Sequence, residues 1–576
     1  MSAACALLRG RHLDPSKRLL LATVSGVGST KPQLITYFDR EVEAISIITT
    51  KSFQVTVNPG NREPVICETE AGVFGNSVGL RNPGMEQALY ELERLREAHG
   101  MRALLNVSLS ANTVEDFITL VKAFDPVADL VELNFSCPHV SSGYGAAIGC
   151  DPNIAASYVQ AIKEATRECR APLFIKLTPN VEDIGLIAKA AVDAGADGLV
   201  AINTVGPIVH IDPVSQTPIL QNNLGGKGGL SGRAVYDVAL KAIETIRQAV
   251  GPDVPLIGMG GVFSGEEAAA MVRAGSDAVG IGSALGSVDQ RNWPCYLKAI
   301  EEEGEASLCM RTYLGPPSSS LLITERQMAY QRHTVTKMEQ YGASTAIITL
   351  SGSLDCKAGQ FAFLWIPQVG EKPFSVAHND PLTFIVKERG PFSRALCALK
   401  EGDELYVRGL YGRELENRAT ERALLVGGGT GVAVLPSLAE KLASQKTVME
   451  ILIGTSEKGE GRALLEKELS AYGSFSCIYD DGKPGRVLDS LDTVDIDGTM
   501  AAYLVGPEIF MAIAARKLLD RGIKRENLYL SMERMTLCGI GMCGECACGD
   551  RLTCRWGTFM DYEYLEREAP ELLSYD

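Results

Sequence analysis

The stretch CGIGMCGECACGDRLTC, residues 538 to 554, sets five cysteines close together in a chain of 576 residues. Cys538, Cys543 and Cys546 stand at C-x4-C-x2-C spacing, which suits an iron–sulfur ligand set once a fourth thiolate is supplied from further along. Thiolates also suit zinc, and a disulfide knot or a redox switch would draw on the same residue type. The chain opens without a basic start, apolar core and cleavage site, and has no membrane-spanning apolar run, so the expected compartment is the cytoplasm. Thiols stay reduced there, which turns the fifteen cysteines toward metal or redox chemistry. A net charge of −16 disfavours nucleic acid or an anionic membrane as the main partner, while leaving room for local basic pockets that hold phosphates.

A second set of residues closes or follows short apolar runs: Ser25, Lys51, Asn134, Cys137, Lys176, Asn203 and Thr204. Two further runs end in GMGG (Gly258, Gly260, Gly261) and GIGS (Gly280, Gly282, Ser283), where backbone amides could approach a phosphate such as that of FMN, although glycines also serve tight turns. Lys176 sits between apolar residues, and a buried lysine is costly without an anionic partner. A structural carboxylate or a reduced flavin ring could be that partner. Cys137, in NFSCPH, is either a small core residue or a reactive thiol on a proline-containing loop.

The elements that must position these groups follow from periodicity. Eight β-rich runs, RLLLATV, AISIITT, ALLNVSL, LVELNF, LFIKLT, GLVAINT, PLIGMGG and DAVGIGS, alternate with helical patterns. One such pattern is VEDIGLIAKAAVDAGADG, with a start at Pro179 and Asn180 and a stop at Gly195. Eight βα units predict an N-terminal (β/α)8 TIM barrel over residues 1–304, with its chemistry at the C-terminal strand ends. A linker rich in proline and serine spans 305–327. Residues 328–412 alternate as a small antiparallel β-barrel, and RALLVGGGTGVAVLPSLAEKLA opens a parallel α/β domain over 413–530. Its strand, glycine loop and helix let a pyrophosphate approach the backbone at a helix N-terminus. The cysteine segment occupies 531–576.

The motifs ELNFSCPHV, FIKLTPNVEDI, AINTV, GGLSG and IGMGGVFSGEEAAAMVRAGSDAVGIGSA resemble class 1 dihydroorotate dehydrogenase in order and spacing. GNSVGLRNPG, residues 75 to 84, resembles that family's substrate loop, and TTKS its lysine segment. The resemblance implies FMN and dihydroorotate/orotate, with Cys137 as the base that takes the C5 proton while the C6 hydride passes to the flavin. It implies that Lys51, Asn76, Gly79, Leu80, Asn134, Asn203 and Thr204 hold the pyrimidine. Ser25, Gly26, Lys51, Lys176, Gly229, Ser231, Gly260, Gly261, Gly282 and Ser283 would hold FMN. His139 replaces the family's asparagine and is expected to donate a similar hydrogen bond; SCPH also resembles dihydropyrimidine dehydrogenase, which acts on uracil and thymine.

The remainder resembles the ferredoxin reductase superfamily, most closely the electron-transfer subunit of the NAD-linked dihydroorotate dehydrogenase. EKPFSV is similar to its flavin motif, with Lys372 where the family has arginine, and implies FAD at Lys372, Pro373, Phe374, Ser375, Gly390 and Ser393. NAD is implied at Gly427, Gly428, Gly429, Thr430, Gly431, Gly506 and Pro507, with Val505 in place of a cysteine and Glu457 favouring NADH. SMERMTLCGIGMCGEC resembles the iron–sulfur segment of that subunit. This implies a [2Fe–2S] cluster on Cys538, Cys543, Cys546 and Cys554, with Cys548 a bystander. The whole is expected to be a fusion passing electrons from dihydroorotate through FMN, the cluster and FAD to NAD+, and to form a homodimer through the barrel. The competing expectations are an NADH-linked dihydropyrimidine dehydrogenase and an electron-transfer protein whose barrel is only a scaffold.

Overall fold

The computed structural model describes residues 17–98, 100–135, 148–455, 463–480 and 486–574. The chain divides into two compact units. The first runs through Asp212 and Gln216–Gln327 and includes the short segment Ile540–Glu545; the second comprises Pro213–Ser215, Met328–Gly539 and Cys546–Asp576.

In the first unit eight strands close into a parallel barrel whose order follows the chain. They are β1 (Leu21–Thr23), β2 (Ile45–Thr49), β3 (Leu104–Leu109), β4 (Leu130–Asn134), β5 (Leu173–Lys176), β6 (Gly198–Ala201), β7 (Leu256–Met259) and β8 (Ala278–Ile281). Each predicted run supplies one strand. The strands are buried on both faces, which is why the runs read as continuous apolar stretches. Ala22, Ile47, Leu104, Leu130, Phe174, Val200, Ile257 and Ala278 form one packed cluster, so the barrel is filled and a ligand must bind at its end.

Three features of this unit depart from the predicted layout. Ile66–Glu70, Val73–Asn76, Lys227–Gly232 and Val205–Val209 form a separate antiparallel sheet, in that order. The helix expected from Pro179 begins only at Ile184, because the Asp183 side chain caps it by accepting from the Gly185 and Leu186 amides. Asn180 instead ties two loops together: its Nδ2 donates to Thr204 O at 3.0 Å and its Oδ1 accepts from the Gly206 amide at 2.8 Å. The helix Trp293–Leu308 runs past residue 304, so the segment read as linker starts inside a helix.

The second unit contains two sheets. Seven antiparallel strands stand in the order Gly370–Phe374, Phe361–Ile366, Glu404–Tyr411, Tyr330–Tyr341, Thr345–Leu350, Leu382–Lys387, Val376–Asn379. The predicted small antiparallel barrel is not closed by hydrogen bonds, since this order has two edges. The edge strands are nevertheless consecutive in the chain and joined at Ser375, which curls the sheet back on itself. The other sheet sets Gly473–Tyr479, Val448–Thr455, Arg422–Gly428, Ala501–Val505 and Leu528–Ser531 parallel, with Phe559–Asp561 antiparallel at the edge. Its order reverses at Arg422–Gly428, and such a switch point leaves a crevice at the C-terminal ends of the strands that flank it. No helix among the described residues is long and apolar enough to cross a membrane.

Candidate active site

The strand ends of the first unit converge on one cavity. Ser25 and Gly26 follow β1, Lys51 follows β2, Asn134 and Lys176 close β4 and β5, and Asn203 and Thr204 follow β6; all line its wall. Gly260 and Gly261 after β7 and Gly282 and Ser283 after β8 do the same. The antiparallel sheet and its loop add Asn76, Gly79, Leu80 and Ser231. Gly229 stands behind this wall, opposite Asn76 in the sheet, and its carbonyl accepts from Asn76 Nδ2 at 3.5 Å. Cys137 and His139, like Glu457, lie outside the described residues.

The backbone of this cavity is shaped for close approach. Lys51 Nζ lies 3.2 Å from where a methyl on Gly26 would stand, so the lysine covers the turn after β1. Gly261 is left-handed, and a Cβ there would meet Tyr236 N at 2.8 Å and Gly232 O at 2.9 Å; at Gly282 it would meet Val24 at 2.6 Å. Leu80 is also left-handed, a conformation that costs a non-glycine residue about 1–3 kcal/mol. Asparagines brace the loop around it: Asn82 Nδ2 donates to Leu80 O at 2.7 Å and Asn58 Nδ2 to Gly79 O at 3.2 Å. Thr204 Oγ1 is buried with no hydrogen-bond partner among the described residues, as expected of a group that awaits a ligand.

Below the cavity lies a polar ladder. Lys176 Nζ faces Glu132 Oε1 at 3.4 Å, with both side chains almost fully buried. Of the two partners open for this lysine in the sequence, the carboxylate is thus present. Ser108 Oγ donates to Glu132 Oε1 at 2.9 Å and lies 2.9 Å from Ser52 Oγ, which also receives Asn134 Nδ2 at 3.3 Å and stands 3.2 Å from Ser25 Oγ. Sequence reasoning missed Glu132, Ser52 and Met542, the last of which also lines the cavity. Glu132 was within reach, since it lies two residues before Asn134 on one strand and therefore on the same face.

In the second unit, Lys372 is exposed within its strand, and Pro373, Phe374 and Ser375 are half-buried. The Phe374 and Phe392 rings stand 6.5 Å apart, which joins this strand to the helix Pro391–Cys397. Ser393 Oγ serves that helix by accepting from the Arg389 and Gly390 amides at 2.8 and 3.0 Å, while the space beside Gly390 is open. At the switch point, Gly427 and Gly428 end one strand and Gly506 and Pro507 follow the other. A Cβ on Gly431 would lie 3.4 Å from Gly506 Cα, and one on Gly429 would meet nothing within 4 Å. Thr430 lies in the 3-10 turn Gly429–Val434 that leads into the helix Leu435–Ser444. The crevice therefore has room above a glycine backbone, as a nucleotide pyrophosphate requires.

Cys538, Cys546 and Cys554 belong to the second unit and Cys543 to the first. The Cys546 and Cys554 sulfurs are 3.3 Å apart, and burial, with hydrogen bonds to Cys538 and Cys546, holds the Cys554 thiol well above its ordinary range. Among the described residues no group of three or more His, Cys, Asp or Glu side chains is arranged to hold a metal ion. The thiols of the second unit nonetheless fit a thiolate-bound centre in type and burial. Cys548 differs: it packs in the apolar core with Leu528, Leu530 and Tyr564, and burial pushes its thiol up to about 12.

A closed parallel barrel with a cation- and amide-lined cavity at its C-terminal strand ends defines a (β/α)8 enzyme. The family described as dihydroorotate dehydrogenase matches residues 21–303. The catalytic subunit of dihydroorotate dehydrogenase B (NAD+) from Methanocaldococcus jannaschii is 42% identical over 256 residues, covering 44% of this chain and 79% of its own. Those from Alkaliphilus metalliredigens and Streptococcus pneumoniae are 41% and 38% identical, over 39% and 43% of this chain and 70% and 77% of their own lengths. The chain belongs to the dihydroorotate dehydrogenase family and is an oxidoreductase.

Proposed function

We propose that the first unit oxidises dihydroorotate to orotate and that the second carries the electrons to NAD+. The observation that carries this reading is the cavity, where Lys51, Asn76, Asn134, Asn203 and Thr204 meet above the Lys176–Glu132 pair. A flat anion with several carbonyl and N–H groups needs that combination of one cation and several amides. The backbone at Gly260, Gly261, Gly282 and Ser283 suits the FMN phosphate, and Lys176 suits the flavin ring. Cys137 takes the C5 proton as the C6–H bond gives up its electron pair, leaving a C5=C6 double bond. Lys51 holds the carboxylate, and the asparagines fix the ring for the proton abstraction.

When bound, FMN, FAD and a [2Fe–2S] cluster would supply hydride acceptance and one-electron transfer between two-electron centres. For FAD the reading is supported by the open space beside Gly390 and the half-buried Phe374 and Ser375; for NAD, by the switch-point crevice; for the cluster, by the buried thiols Cys538, Cys546 and Cys554. One chain with both functions fixes their stoichiometry and raises their effective concentration.

The test is anaerobic. Dihydroorotate should bleach the visible absorbance of the purified protein, and NAD+ should restore it with formation of NADH. Bleaching by dihydrouracil and not by dihydroorotate would overturn the substrate assignment.

A further inference from the structure

Glu132 is wholly buried, yet only one of its carboxylate oxygens is engaged: Oε1 takes Ser108 and Lys176, and Oε2 has no partner among the described residues. The strand register explains the placement. Asn134 and Lys176 are paired across β4 and β5, and Glu132 lies one interior layer deeper, beside Ser108 of β3. Lys176 lines the cavity while Glu132 stands behind it. One ammonium therefore lies between two anion positions, a fixed one below and whatever occupies the cavity above. At 3.4 Å the contact with Glu132 is longer than a tight charge-assisted hydrogen bond, so Lys176 is only partly engaged from below.

We propose that Glu132 is a positioning residue which draws Lys176 away from the cavity and so sets the reduction potential of the flavin bound there. The inference rests on the assignment of FMN to this cavity. The reduced cofactor is anionic and the oxidised one is not, so a fixed negative charge nearby disfavours reduction. The barrel excludes water from this pair, and the repulsion is therefore weakly screened. Lys176 alone would make the flavin a strong electron acceptor that holds its electrons. Glu132 moderates this, so that electrons accepted from substrate can be passed on.

The experiment is an anaerobic spectroelectrochemical titration of the full-length protein with its cofactors, the barrel flavin being the component that Lys176→Met moves to lower potential. Glu132→Gln should raise that component by at least about 30 mV, a tenfold change in the oxidised-to-reduced ratio of a two-electron couple. Adding Glu132→Gln to Lys176→Met should give a markedly smaller shift than Glu132→Gln alone, because with the lysine gone Glu132 has no ammonium left to draw away from the cavity. An unchanged or lowered potential in Glu132→Gln, or shifts that simply add in the double variant, would overturn the proposal. If Glu132→Gln does not fold, Glu132→Asp draws the charge back by one methylene and should give a smaller rise; no rise overturns the proposal equally. Protein that binds FAD but no FMN would instead overturn the cofactor assignment beneath it.

Discussion

Arg408 Nη1 donates to the carbonyl of Cys538 at 2.9 Å, while its Nε and Nη2 grip the two oxygens of Glu371 at 2.5 and 2.8 Å. Both charged side chains are fully buried, and the Tyr330 and Tyr411 hydroxyls complete the group. The antiparallel sheet thus holds the first cysteine of the C-x4-C-x2-C run by its backbone. Removing one partner of such a pair leaves a buried charge uncompensated, at a cost of about 3–5 kcal/mol. Glu371→Gln is accordingly expected to lower the denaturant midpoint of unfolding and to reduce bound iron in parallel. A stability within about 0.5 kcal/mol of the parent would show that water or another group takes over the role of Glu371.

The nucleotide crevice makes a separable prediction. Gly506 is left-handed, and an added Cβ would meet the Phe510 ring at 3.0 Å and Gly428 O at 3.4 Å. Gly506→Ala should raise the KM for NADH about tenfold, equivalent to ~1.4 kcal/mol of binding, and leave flavin bleaching by dihydroorotate unchanged. Loss of that bleaching as well would mean that the strain spreads beyond the crevice.

Acid stability should report on His210. Its ring packs so closely under Gly75 that a Cβ there would lie 2.6 Å away, and burial lowers its pKa from the ordinary 6.5 despite a backbone hydrogen bond at Gly228. As pH falls the unfolded chain takes up the proton first. The contribution is therefore complete above about pH 6.5 and is lost as pH falls through the lower folded value. Melting temperatures of the parent and of His210→Gln, measured from pH 7.5 downward, should converge on acidification; parallel curves would exclude His210 as a source of acid lability.

What could be read from the chain was what pattern encodes. The eight barrel strands were legible because burial on both faces makes them continuous apolar runs, and their polar termini marked the cavity. The antiparallel sheet was not legible: Lys227–Gly232 carries three glycines and has no alternation to betray a strand. Glu371 and Arg408 lie 37 residues apart, and no local pattern announces that two charges so separated will be buried against each other. Lys176 was recognised as needing an anion, yet Glu132 stayed hidden because it reads as one letter of a substrate motif.

Cys137→Ser should divide the two half-reactions. Serine keeps the size but not the acidity of the thiol, so dihydroorotate oxidation should fall by at least about 100-fold at neutral pH, within the range general-base catalysis supplies. NADH-driven reduction of an artificial acceptor should persist. Equal loss of both activities would remove the assignment of the first step to this residue.

The cysteine run gives the last prediction, through two residues of the same type in different surroundings. Cys554 shares a buried site with Cys546 and Cys538, whereas Cys548 is surrounded by apolar core and its carbonyl accepts from Tyr564 Oη at 2.6 Å. A metal ligand needs its thiolate beside the other donors, and a thiol that burial pushes up to about 12 resists ionising. Cys548→Ser should therefore keep full iron and sulfide content and lose a little stability, because a hydroxyl is placed among apolar side chains. Cys554→Ser should lose the iron. Retention of iron in the Cys554 variant together with its loss in the Cys548 variant would exchange the two roles.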